Sequence, residues 1–136
     1  NVLAINRSGG NEEKEQGVFG REFLNDLLPK ADHIVLILPG EESNKEFLNK
    51  QLLLLCKPGA FIYNFGRGNA LRSEVLESAI DHLGGVFLDV TDTEPLARES
   101  QLWRNEKVMI TPHSSCVYKE YKPLFIDEVI ERLSAF

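Results

Sequence analysis

The sequence predicts an α/β fold: a mostly parallel sheet with helices packed against it. Two observations carry that expectation. Short apolar runs alternate with amphipathic segments in the order strand, helix, strand, helix, strand, helix, strand, loop, strand, helix. Such alternation requires crossover connections and gives parallel strands. The run at 34–38, Ile-Val-Leu-Ile-Leu, is apolar throughout, as a parallel strand covered on both faces is.

The bulk properties narrow the function classes. A chain of 136 residues holds one domain with a real core. Its 43% hydrophobic content is that of a globular chain. A net charge of -6 disfavours general nucleic-acid binding. No apolar run approaches membrane-spanning length. No secretory signal is visible, and the start at Asn1-Val2-Leu3 falls inside an apparent strand, as in a piece of a longer protein. Cys56 and Cys116 show neither metal spacing nor a disulfide framework. They read as small buried apolar residues in a reducing, cytoplasmic compartment, and no metal site is expected.

The elements follow in order. A first strand at 2–5 ends in the turn Asn6-Arg7-Ser8-Gly9-Gly10. Residues 11–17 are polar and read as an exposed loop. Phe23, Leu24, Leu27 and Leu28 fall at helical spacing, and Pro29 stops that helix. The strand at 34–38 ends at Pro39-Gly40. A leucine-rich helix over 47–56 has Asn49 as candidate N-cap and ends at Pro58-Gly59. The strand at 60–63 leads into Asn64-Phe65-Gly66-Arg67-Gly68-Asn69-Ala70-Leu71. In the next helix Leu76, Ala79, Ile80 and Leu83 share a face, Ser73 is the natural N-cap, and Gly84-Gly85 is the stop. A strand at 86–88 ends in Asp89-Val90, a polar loop carries Glu94-Pro95, and Trp103 anchors a short turn. The last strand, 108–110, ends Thr111-Pro112-His113. A final helix carries Phe125, Ile126, Val129, Ile130 and Leu133 on one face, with Pro123 near its first turn.

Three successive strands thus end on polar groups: Arg67, then Asp89 with Glu94 close behind, then His113. In a parallel sheet these ends share one edge, where ligands bind. A guanidinium between two glycines can grip a carboxylate with paired hydrogen bonds. Taken singly, each has a bland alternative: Arg67 in a surface turn paired with an acid, Glu94-Pro95 as a turn, Asp89 as a cap, His113 as a satisfied core histidine. Their convergence is the more specific signal. His33 and His82 lack such company and read as structural or exposed.

These residues resemble the D-isomer-specific 2-hydroxyacid dehydrogenases, and most of all the glyoxylate/hydroxypyruvate reductase branch. The carrying motifs are Leu38-Pro39, Lys57-Pro58-Gly59-Ala60, Asn64-Phe65-Gly66-Arg67-Gly68, Leu88-Asp89-Val90 with Glu94-Pro95-Leu96, Leu102-Trp103, and Ile110-Thr111-Pro112-His113. The resemblance implies a Rossmann-like sheet lacking its first strand and Gly-rich loop. Residues 1–115 would be a partial dinucleotide-binding domain, and 116–136 a C-terminal helix directed toward a substrate domain. The missing strand is expected between those at 2–5 and 60–63. The implied reaction is NAD(P)H-dependent reduction of a small 2-oxo acid, as the catalytic half of a longer enzyme. Arg67 would hold the substrate carboxylate, His113 would protonate the carbonyl oxygen, and Glu94 would pair with His113. Cofactor contacts fall on Leu38, Pro39, Phe65, Gly66, Asp89 and Ser115, with Asp89 at the carboxamide. Asn44 and Ser115-Cys116 depart from the family's common residues.

At the adenosine end, NAD-using folds place an acid after the second strand. Here that position reads Asn6-Arg7-Ser8, with no acid before Glu12. Arg7 and Ser8 suit a 2′-phosphate, so NADP is the expected cofactor, with NAD possible; the alternative is a solvent-exposed turn arginine. A homodimer is expected. Competing readings are a dinucleotide-sensing, corepressor-like binding module and an inactive truncated remnant.

Overall fold

The structure is a computed structural model, and it describes residues 1–7 and 17–134. Ser8, and most of the expected loop at 11–17, lie outside the described residues. Strands β1 (Ala4–Asn6) and β2 (Val18–Gly20) pair in parallel as a small sheet. Helix α1 (Leu24–Leu27) follows, extended at both ends by 3-10 turns. Then come β3 (His33–Leu36), α2 (Lys50–Leu55), β4 (Phe61–Asn64), α3 (Ser73–Glu77), β5 (Gly85–Leu88), β6 (Val108–Ile110) and α4 (Tyr121–Ser134). Strands β3 to β6 form a four-stranded sheet in sequence order, all parallel. The fold is Rossmann-like.

The strand period of two assigns the faces. Leu36, Ile62, Val86 and Leu88 point to one side and are buried with Leu53 of α2 and Leu76 of α3. Leu53, Ile62 and Leu76 are each 0% exposed, and burying such a side chain contributes about 1.5–3 kcal/mol. The opposite side, with Val35, Phe61 and Met109, is open, and Met109 is 62% exposed. The expectation that the run at 34–38 is covered on both faces is therefore corrected: Val35 and Ile37 lie on the open side. The amphipathic face of α4 is exposed as well.

Several local expectations need correction. The apolar pair Val18-Phe19 makes β2, a strand too short to show a period. The helix beginning at Ser73 stops at Glu77 and continues as a 3-10 turn at Ile80–His82. Ser73 is its first residue rather than its N-cap. Asp92, from the loop after β5, accepts hydrogen bonds from both the Ser73 backbone N–H (3.2 Å) and its hydroxyl. Asn49 does cap α2, its Oδ1 accepting from Leu52 N at 3.0 Å. Cys56 is buried as expected, but Cys116 is exposed. Burial pushes the Cys56 thiol up to about 11.

The break in the sheet also lies elsewhere than expected. Strand β4 is paired on both sides, by β3 and β5. The gap falls between β1 and β3, where a cavity of about 170 Å³ is lined by Leu3, Ile5, Ile34 and Leu36. The unpaired edges in the described residues are those facing this gap, together with the outer edges of β2 and β6.

Candidate active site

Because β4, β5 and β6 are parallel and in register, their C-terminal ends bring Arg67, Asp89 and His113 to one edge of the sheet. The arginine turn is built by Asn64, the last residue of β4, which is 0% exposed. Its Oδ1 accepts from Gly66 N at 3.1 Å and its Nδ2 donates to Arg67 O at 3.3 Å. A buried amide must find such partners, and here the partners are the turn. Gly66 is required by close approach: a Cβ there would come within 2.5 Å of Leu38 O. Gly68 packs so closely on Thr91 that a Cβ would overlap its backbone. Arg67 is thereby held against the loop that carries Glu94. Its Nη1 donates to Gly66 O at 2.8 Å.

Asp89 organises the histidine turn. It is 2% exposed. Its Oδ1 accepts from Thr111 Oγ1 at 2.5 Å and Ser114 N at 2.9 Å, and its Oδ2 from Ser115 N at 2.9 Å. Burial alone would raise its pKa; the hydrogen bonds from Ser115, Thr111 and Ser114 outweigh it and hold the carboxyl well below the usual range. Between Thr111 and Ser114, His113 adopts φ 52, the left-handed region that a non-glycine residue enters at a cost.

That backbone presents the imidazole to Glu94: His113 Nδ1 lies 2.9 Å from Glu94 Oε2. Glu94 Oε1 accepts from Thr91 N at 3.2 Å, and the Glu94-Pro95 peptide is cis. The hydrogen bond from His113 is the main cause that lowers the Glu94 pKa; burial opposes it, the Thr91 N–H assists, and the charges of His113 and then Arg67 add smaller pulls. A cavity of about 450 Å³ is bordered by Asp89, Thr91, Glu94, Trp103, Thr111 and His113. The turn-building roles of Asn64, Thr111 and Ser114 are not evident from the sequence. A buried-strand run ending in Asn was the available signal for the first; the other two depend on a pairing across the fold.

The expected cofactor contacts line the same edge. Leu38 is half-buried, and Pro39 O accepts from Asn44 Nδ2 at 3.0 Å. The Phe65 ring lies 5.1 Å from that of Phe87. Asn6 and Arg7 border a second cleft, of about 690 Å³, with Arg21, Glu41 and Ser43. Of the two histidines read as structural or exposed, His33 is exposed and stacks on Phe61, and His82 Nε2 is 2.7 Å from Cys56 O. No group of His, Cys, Asp or Glu suited to a metal occurs among the described residues, and none of their helices is long and apolar enough to cross a membrane.

The family model for the D-isomer specific 2-hydroxyacid dehydrogenase, NAD binding domain, matches residues 1–115. The chain belongs to this family. Glyoxylate/hydroxypyruvate reductase A of Salmonella paratyphi B is 33% identical over 117 residues, covering 84% of this chain and 38% of its own. A probable 2-hydroxyacid dehydrogenase from Rhizobium etli, solved with NADP, HEPES and L(+)-tartaric acid, superposes with a TM-score of 0.80 at 30% identity, over 99% of this chain and 45% of that one. The NADPH-dependent glyoxylate/hydroxypyruvate reductase of Sinorhizobium meliloti, solved with NADP and sulfate, gives 0.76 at 27% identity, over 98% and 45%. The chain spans less than half the length of these relatives.

Proposed function

We propose that this dehydrogenase domain supplies the proton donor and the carboxylate-binding cation for reduction of a small 2-oxo acid of the glyoxylate or hydroxypyruvate type, within a longer protein. The observation that carries the reading is the His113–Glu94 pair, 2.9 Å apart, on the same sheet edge as Arg67 at the end of β4. Arg67 binds the substrate carboxylate through its planar fork and orients the adjacent carbonyl. As negative charge builds on the carbonyl oxygen, His113 donates a proton from Nε2 while Glu94 holds Nδ1 and fixes the ring. The nicotinamide, when bound, supplies the hydride that reaches the carbonyl carbon. Asp89 acts by fixing the Thr111–Ser115 turn that aims His113.

The residues fit a phosphorylated dinucleotide. The cleft at Asn6 and Arg7 brings two guanidiniums, Arg7 and Arg21, to the sheet edge where dinucleotides lie. Leu38, Pro39, Phe65 and Gly66 continue that edge toward Asp89 and Ser115. NADP is accordingly the preferred cofactor, supported by the NADP complexes of the two structural neighbours. Residues 116–136 extend toward the substrate domain, and the full protein is a cytoplasmic homodimer. The test is an assay of the full-length protein with glyoxylate, hydroxypyruvate and pyruvate against NADPH and NADH. Turnover of a 2-oxo acid with NADPH preferred is expected; no turnover of any of them with either cofactor would contradict the reading.

A further inference from the structure

The proposal concerns Glu41 and rests on the reading of Arg7 as the 2′-phosphate group's cation. Strands β1 and β3 are not paired with each other, and the loops leaving their C-terminal ends face across the cleft of about 690 Å³. No acid stands between β1 and Glu12, at the place where an acid would accept hydrogen bonds from the ribose hydroxyls. An acid reaches the place from the other wall instead: the Glu41 carboxylate pairs with Arg7 Nη2. Ser43 Oγ donates to the same carboxylate oxygen at 3.3 Å. Glu41 is positioned through its backbone, its carbonyl accepting from Asn69 Nδ2 at 3.2 Å. Arg21 is committed differently, with Nη1 on Ser43 O at 2.9 Å and its guanidinium 4.5 Å above the Phe47 ring.

A carboxylate held by a guanidinium and a hydroxyl occupies the arrangement that a phosphate would take. We propose that Glu41 is an internal anion that competes with the 2′-phosphate for Arg7 and Ser43, and so sets how strongly the domain distinguishes phosphorylated from unphosphorylated dinucleotide. Among the described residues that line this cleft the charged side chains are Arg7, Arg21 and Glu41, two positive and one negative. Removing Glu41 raises their sum from +1 to +2 and frees the donors without adding a contact. The effect is modest, because the pair is exposed, with side-chain exposures of 76% and 52%.

The test uses the full-length protein and two small probes, 2′,5′-ADP and 5′-AMP, with binding measured by calorimetry. Glu41→Gln is expected to tighten 2′,5′-ADP by about three- to tenfold and leave 5′-AMP within about twofold. Arg7→Ala is expected to weaken 2′,5′-ADP by about tenfold or more, and in that background Glu41→Gln should lose its tightening effect. If Arg7→Ala weakens 2′,5′-ADP but Glu41→Gln leaves it unchanged or weaker, Glu41 is not a competitor and this proposal fails alone. If Arg7→Ala has no effect, or wild type does not bind 2′,5′-ADP, the phosphate does not lie at Arg7 and the underlying reading fails with it.

Discussion

At His113 a left-handed backbone and a hydrogen-bonded ring coincide, and Asp89 is the residue that makes the combination tolerable. Its two oxygens collect the donors on either side of the histidine, so the turn is over-determined by a buried charge. Asp89→Asn replaces one acceptor by a donor facing an N–H, and is expected to cost about 1–3 kcal/mol at neutral pH by denaturant unfolding. The sign of the pH effect follows from the lowered pKa. The carboxyl is held below its ordinary 3.8, so its contribution is fully present above that value and is lost as pH falls below it. The stability gap between wild type and Asp89→Asn should therefore be constant from neutral pH to about 5 and narrow in stronger acid; a gap that widens with acid would contradict the assignment. Arg67→Lys should lower kcat/KM of the full-length enzyme, because an ammonium cannot reproduce the guanidinium fork. Unchanged kinetics would remove Arg67 from carboxylate binding.

The turn after β4 and the loop after β5 act as one unit, and Gly68 is where they touch. Gly68→Ala places a methyl group in the Thr91 backbone, so one of the two segments must move. A loss of about 1–3 kcal/mol is expected, accompanied by displacement of the Arg67 turn from the loop that carries Glu94; an unperturbed denaturation midpoint would show that the contact is slack. Much of this architecture was legible in the chain. The alternation of apolar runs sufficed for β3 to β6, Asn49 for the cap of α2, and the polar strand ends for placing Arg67, Asp89 and His113 on one sheet edge. What was not legible was set by pairings distant in sequence. Asp92 caps α3 across 19 positions, which displaced Ser73 from the role its type favours. Strand β2 is held by register with β1 rather than by its own pattern. The open face beneath Val35 and Met109 could not be inferred from an all-apolar run, since such a run looks the same whether one face is covered or two.

Taken as one body, the domain exposes apolar surface on the open side of the sheet and along α4, including Ile37 at 77% and Leu133 at 68%. Patches of this kind mark interaction surfaces. Full-length protein at micromolar concentration should sediment as a dimer; a monomer would count against the proposed assembly. Everything else in the account depends on whether the edge formed by β4, β5 and β6 performs the reduction. The most direct measurement is single-turnover NADPH oxidation with glyoxylate and hydroxypyruvate by full-length wild type and His113→Ala, alongside NADPH binding by fluorescence. A hundred- to ten-thousand-fold loss of rate is expected in His113→Ala, on the order of a general acid's contribution, with NADPH affinity retained. Wild-type rates in His113→Ala would contradict it.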